Sequence, residues 1–242
     1  MQNFFKIGVI IIFLTLTAWA DTITDAKEAY AKGDLAKTAE LSAAACEEGN
    51  SDGCAVLGYL YNEGEGVKQD YKKALELFEI SCNSGNENGC HNLGVMYDLG
   101  KGTKQDYAKA AVLYKKSCDY EYADSCDSLA YMHQQGVGVK QDYFKALELY
   151  TKACNGGNIN SCYLMAYMYA EGDGTKQDLP KAISIFEKLC KQNNADSCAS
   201  LGLIHEIGKG VKSDMDKALE YYGKACKLNL PQGCNGYGRL KQ

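Results

Sequence analysis

The sequence predicts an all-α solenoid of 36-residue helix pairs stapled by disulfides, on three observations. First, all twelve cysteines lie on one lattice, eight residues apart within a pair and thirty-six from pair to pair. Second, a repeat of that length falls in the range of helix-pair solenoids. Third, apolar residues around each cysteine recur at helical spacing, and no segment alternates as a strand does.

The elements follow in order. Lys6 precedes an apolar run from Ile7 to Leu16, and Ala18-Trp19-Ala20 is a small-x-small cleavage signature before Asp21. The run is too short to span a bilayer core of roughly 30 Å. Residues 1–20 therefore read as a secretory signal peptide and residues 21–242 as the solenoid. No cysteine stands at the cleavage point, which argues against a lipid anchor there. A helix of about Ile23 to Lys32 comes next, joined by Gly33 to a partner that starts after Asp34.

The second helix of each pair starts at an aspartate: Asp34, Asp70, Asp106, Asp142, Asp178 and Asp214. An aspartate there can accept from the free amides of the first helical turn. Pro180 lies two residues past Asp178, where its missing N–H costs nothing. Three residues after the cysteine that closes each second helix stand Gly49, Gly85, Gly157, Asn193 and Asn229, all tolerant of the left-handed backbone that ends helices. Glu121 breaks that register, so a different turn is expected there.

The first helix of each pair starts just before the second cysteine of a lattice pair. Cys54, Leu57, Gly58 and Tyr61 share a face, as do Cys90, Leu93, Gly94 and Tyr97. The fourth position is small in every copy: Gly58, Gly94, Ala130, Ala166, Gly202 and Gly238. Glycine inside a helix costs roughly 1 kcal/mol, so close approach of a neighbouring helix is expected at each. Gly-x-Gly turns at Gly64/Gly66, Gly100/Gly102, Gly136/Gly138, Gly172/Gly174 and Gly208/Gly210 link first helix to second. Without a preceding strand they read as backbone conformation and not as a phosphate loop. The count is six helix pairs plus a C-terminal helix from about Gln232.

Two cysteine pairings respect the repeat. Joining Cys54 to Cys82 and its equivalents strands Cys46 and Cys234. Joining neighbours uses all twelve: Cys46–Cys54, Cys82–Cys90, Cys118–Cys126, Cys154–Cys162, Cys190–Cys198 and Cys226–Cys234. The second pairing is expected, and with it an oxidising compartment, periplasmic or secreted. Zinc ribbons place two to four residues between ligands, whereas seven separate these cysteines. No metal and no cofactor is expected.

The chain carries 26 basic and 31 acidic residues, with Arg239 its one arginine. That balance lacks the clustered basic footprint of a nucleic-acid binder. No membrane span is expected beyond the signal.

Leu57-Gly58-x-x-Tyr61, Gly64-x-Gly66-Val67-x-x-Asp70, Lys73-Ala74 and the trailing Gly85 resemble the Sel-one-like repeat, a relative of the tetratricopeptide repeat. With the Cys-x7-Cys staple added, the chain resembles the Helicobacter cysteine-rich proteins and their relatives in allied bacteria. The resemblance covers nearly all of the expected mature chain. It implies a right-handed α/α superhelix, disulfides eight apart and a periplasmic or secreted location. It also implies penicillin binding with weak β-lactamase activity.

The residues give that activity no catalytic group. Serine β-lactamases use Ser-x-x-Lys, with Ser-Asp-Asn and Lys-Thr-Gly, and none of the three motifs occurs. His91, His133 and His205 are the only histidines, and the last two stand in a register held elsewhere by tyrosine. Gly49-Asn50-Ser51-Asp52-Gly53 matches Gly-x-Ser-x-Gly but lies between helices, not after a strand. Any catalytic residue is therefore unknown.

The remaining expectation is a binding scaffold. First helices line the concave face in related solenoids, and their outward registers vary between copies. The candidate ligand-binding residues are Tyr59, Asn62, His91, Asn92, Asp98, Asp127, Tyr131, Gln134, Tyr163 and Tyr167. Tyrosine and asparagine supply contact area and hydrogen bonds at low entropic cost. The expected partner is a protein, a peptide or a peptidoglycan-derived ligand, held by a monomer.

Overall fold

The structure, a computed structural model, describes residues 22–242, so the expected leader at 1–20 lies outside the described residues. Those residues hold thirteen helices and no strand. They fall into two compact units, divided between Tyr122 and Ala123. The first unit holds α1 (22–31), α2 (Leu35–Glu47), α3 (Ser51–Glu63), α4 (Tyr71–Asn83), α5 (Glu87–Leu99) and α6 (Tyr107–Asp119). The second holds α7 (Ala123–Gln135), α8 (Tyr143–Asn155), α9 (Ile159–Glu171), α10 (Leu179–Lys191), α11 (Ala195–Ile207), α12 (Met215–Lys227) and α13 (Pro231–Leu240). Odd-numbered helices are the first of each pair and even-numbered ones the second.

The linker within each pair explains its own sequence. The aspartates cap as expected: Asp70 accepts from the amides of Lys72 and Lys73, both at 3.1 Å, and Asp142 from that of Lys145 at 2.9 Å. The glutamine just before the aspartate closes the preceding helix. Gln69, Gln105, Gln141 and Gln177 donate Nε2 to the carbonyls of Asn62, Asp98, Gln134 and Ala170, at 2.7–2.9 Å. Lys-Gln-Asp thus satisfies one helix end and the next helix start, groups otherwise left without partners. Both glycines of every Gly-x-Gly turn have positive φ. The second also passes close to the preceding pair: a Cβ on Gly66 would lie 2.3 Å from the Leu35 carbonyl oxygen.

Between pairs, asparagine caps the next first helix. Asn50, Asn86, Asn158 and Asn194 accept from amides of the first turns of α3, α5, α9 and α11. Glu121 does not give a different turn. It adopts φ 68°, the left-handed backbone that Gly85 holds at φ 85° and Asn193 at φ 65°. The helix-end geometry of the repeat imposes that conformation on a side chain that disfavours it.

Disulfides join Cys46–Cys54, Cys82–Cys90, Cys154–Cys162, Cys190–Cys198 and Cys226–Cys234, with Cα atoms 4.4–4.8 Å apart. Cys118 and Cys126 are disulfide-bonded as well, and no cysteine is free. Lysines add a second tie across some junctions: Lys116 Nζ donates to the Cys82 carbonyl at 2.8 Å, and Lys224 Nζ to that of Cys190 at 2.6 Å.

Within each unit the core is the seam between first and second helices. Ala74, Phe78, Leu93 and Met96 are buried together in the first unit; Ala166, Ala182, Phe186 and Leu201 in the second. The small fourth position admits an aromatic ring. A Cβ added to Gly58 would sit 2.8 Å from Phe78, and one on Gly94 2.9 Å from Tyr114. Gly238 departs from that expectation. Nothing lies within 4 Å of a Cβ placed there, because none of the described helices packs over that face of α13.

Candidate functional site

First helices expose, near their N-terminal halves, the residues that point away from the seam. In the first unit, α1, α3 and the start of α5 enclose a groove of about 490 Å³. Its floor is Ala26, Ala55 and Val56; its walls are Lys27, Tyr30, Asp52, Tyr59, Glu87, Asn88 and Asn92. Asp52 is fixed by Asn86 Nδ2 at 2.7 Å and lies 3.6 Å from Lys27 Nζ. Asn92, which also lines the groove, donates Nδ2 to the Asn88 carbonyl at 2.9 Å.

The second unit carries a groove of about 570 Å³ on α9, α11 and α13. It is built from the same registers of the repeat. Asp196, Ala199, Ser200 and Leu203 stand where Asp52, Ala55, Val56 and Tyr59 stand in the first, four repeats earlier. Arg239 closes its far side. Arg239 forks onto Glu206 through both terminal nitrogens, Nη2 to Oε2 at 2.8 Å. The Tyr222 hydroxyl donates to the same Oε2 at 2.9 Å. The hydrogen bond from Arg239 is the main cause holding the Glu206 carboxyl below its usual range. Burial first, then the nearby Glu206, pushes the Tyr222 hydroxyl up to about 12.

Of the ten residues expected to bind ligand, Tyr59 and Asn92 meet in the first groove and Tyr163 lines the second. Tyr163 also packs its ring on Phe186, centroids 5.6 Å apart. Tyr131 and Tyr167 are exposed on α7 and α9 but line neither groove. The others are engaged by the frame. Asp98 accepts from the Tyr114 hydroxyl at 3.3 Å, and Gln134 from that of Tyr150 at 3.0 Å. Asp127 accepts from the Ser161 hydroxyl at 2.5 Å, and burial is the main cause raising its pKa. His91 is flanked by the rings of Tyr114 and Tyr122. Asn62 is half-buried beside Glu63.

Lys27, Tyr30, Asp52, Glu87 and Asn88 are groove residues that the pattern of variable outward registers did not single out. Asp52 and Glu87 look in sequence like ordinary acids at helix starts, where they suit the helix dipole. The available signal was register: Asp52 and Asp196 are 144 residues apart, four whole repeats. His205 is buried and stacked on Tyr221, centroids 5.5 Å apart. Among the described residues, no cluster of His, Cys, Asp or Glu could hold a metal ion, and no helix is long and apolar enough to cross a membrane.

A family model described as Sel1 repeat matches residues 51–86, 88–119, 123–158, 159–194 and 195–230. The chain is similar to a protective antigen of uropathogenic Escherichia coli, c5321, whose structure displays the same repeat fold. Identity is 28% over 85% of this chain and 44% of that one, with a TM-score of 0.80. This chain thus spans less than half the length of that antigen. A Sel1 repeat protein of Oxalobacter formigenes aligns over 90% of this chain and 96% of its own, at 20% identity and a TM-score of 0.81, a likeness of fold. Cysteine-rich protein B of Helicobacter pylori is 31% identical over 54% of this chain and 94% of its own, with a TM-score of 0.45. No curated protein matches.

Proposed function

We propose an exported binding scaffold, starting from the fact that the chain belongs to the Sel1 repeat family. It is a disulfide-stapled repeat frame of a family that typically binds proteins. The reading is that it holds a protein or peptide segment against its first helices, outside the cytoplasm, in the periplasm or secreted.

One observation carries the binding half: equivalent registers of the first helices form an open groove in each unit, and the residues lining them differ. A constant backbone with changing groove residues supports recognition, because the frame holds the contacts in place before a partner arrives. The staples carry the compartment half. A chain in which every cysteine is bonded is stable in oxidising compartments and rare in reducing ones.

Photo-crosslinking tests the reading. A photoreactive residue at Tyr59 should capture discrete partners from envelope or host-cell extract, while one at Val112, exposed on α6, should not. Equal capture at both positions would overturn it.

A further inference from the structure

The six bridges are not equally sheltered. In five of them at least one cysteine is no more than 8% exposed. In the sixth, Cys226 is half-buried and Cys234 is exposed. The cause is position: each earlier junction is covered by helices that come after it, and none of the described helices follows α13. Exchange between a thiol and a disulfide depends on access to a sulfur, so bridges of equal spacing can differ in rate. Cys226 also lines a groove of about 630 Å³ along α12, with Tyr237 of α13 on its far side. Lys224 and Lys227 stand within two residues of the cysteine there, whereas the groove acids Asp216 and Glu220 stand six or more away. A thiolate that reaches the sulfur meets the cations.

The helix held by this bridge is poorly made to stand alone. The ten residues of α13 include Gly233, Gly236 and Gly238, each unfavourable in a helix. Leu230 provides no side-chain cap, and so short a helix is marginal in water without a partner. Besides the bridge, the fork of Arg239 on Glu206 ties it to α11.

We propose that Cys226–Cys234 is a thiol–disulfide exchange site, opened in the folded chain by a dithiol, and that its opening frees α13. A thiolate of the dithiol attacks Cys226 Sγ. A mixed disulfide forms, the Cys226–Cys234 bond breaks, and its electron pair leaves on Cys234 Sγ. Cys234 is the fourth residue of α13, near a helix N-terminus, where a thiolate is favoured. The second thiolate of the dithiol then attacks its own sulfur in the mixed disulfide and releases Cys226 as a thiolate beside Lys224 and Lys227. The dithiol ends as a disulfide, the bridge has gained two electrons, and the two cysteines take up the two protons that the dithiol lost. Freed, α13 withdraws Gln232, Asn235 and Arg239 from the second groove. That last consequence rests on the groove reading above; the exchange site does not.

The test treats the oxidised full chain with dithiothreitol for rising times, blocks new thiols with iodoacetamide and maps them by peptide mass. Cys226 and Cys234 should be alkylated while the other cysteines stay bonded. The rate should not change in urea below the unfolding transition, because the sulfur is reached without unfolding. Hydrogen exchange on the chain reduced at this one bridge should show protection lost in α13 and kept in α9 and α10. Another bridge opening first, or all opening together, would overturn the site. A rate that climbs steeply with urea would show that local unfolding exposes the sulfur, and direct attack would fall. Protection kept in α13 after reduction would overturn the release of the helix.

Discussion

Tyr222 of α12 donates its hydroxyl to Glu206 at the end of α11, sixteen residues earlier, at 2.9 Å. The relationship repeats. Tyr114 donates to Asp98 and Tyr150 to Gln134, each pair sixteen apart. Where the aromatic is Phe186, the earlier position is Ala170, which needs no donor. Only Asn62 and Phe78 are mismatched: the ring has no hydroxyl, and Asn62 Oδ1 is buried without a partner.

Phe78→Tyr should therefore stabilise the chain. The new hydroxyl would occupy the place that Tyr114 and Tyr150 use, and would satisfy the Asn62 oxygen. A made hydrogen bond in place of an unmade one contributes about 0.5–1.5 kcal/mol. Denaturant unfolding should show a higher midpoint at unchanged slope. A lower midpoint would mean that the ring cannot accept the oxygen beside Gly58.

The Arg239–Glu206–Tyr222 cluster sets a pH dependence. The Glu206 carboxyl is held below its usual value near 4.5, first by the hydrogen bond from Arg239. A depressed carboxyl contributes stability above its unfolded pKa and loses it as pH falls through the folded value. Tyr222 behaves in the opposite sense. Its pKa rises from 10 to about 12, so its contribution is full below 10 and is lost as pH climbs toward 12. Hydrogen exchange should thus show α13 loosening below about pH 4.5 in the wild type. Glu206→Gln should loosen it at neutral pH and flatten the acid limb. An unchanged acid limb in that variant would remove Glu206 from the account.

Most of the frame is legible in sequence because it repeats. Cysteine spacing, capping aspartates and turn glycines each recur every thirty-six residues, and period alone exposes them. What repetition hides is a residue whose role depends on its neighbours. Glu121 looks like a different turn, yet the register makes it left-handed. Asp98 and Gln134 look like variable surface, yet each answers a tyrosine sixteen residues on. Asp52 and Glu87 look like helix-start acids, yet α1 turns them into walls of a groove. These roles arise from contacts between helices, which period does not encode.

The glycines of the small register divide by the same logic. In α11, a Cβ on Gly202 would lie 2.7 Å from the Tyr222 ring, and in α13 one on Gly238 would meet nothing. Gly202→Ala should cost about 1–3 kcal/mol by overpacking. Gly238→Ala should gain up to about 1 kcal/mol from helix propensity alone. Opposite shifts in thermal midpoint are expected. Matching shifts would mean that the ring, not the backbone, adapts.

The staples are the final prediction. Peptide mapping without reduction should recover cysteines joined eight residues apart, and a fragment joining Cys54 to Cys82 would refute the pairing. Each bridge closes a short loop, so replacing both Cys82 and Cys90 by alanine should cost about 2–3 kcal/mol in the chain-entropy view. Cys82 and Cys90 are buried, so small packing losses add to that figure. The loss should also be local. In a repeat array each pair rests mainly on its neighbours, so hydrogen exchange should quicken in α4 and α5 before it does in α1 and α2. Uniform quickening across the first unit would show instead that its three pairs unfold as one cooperative block.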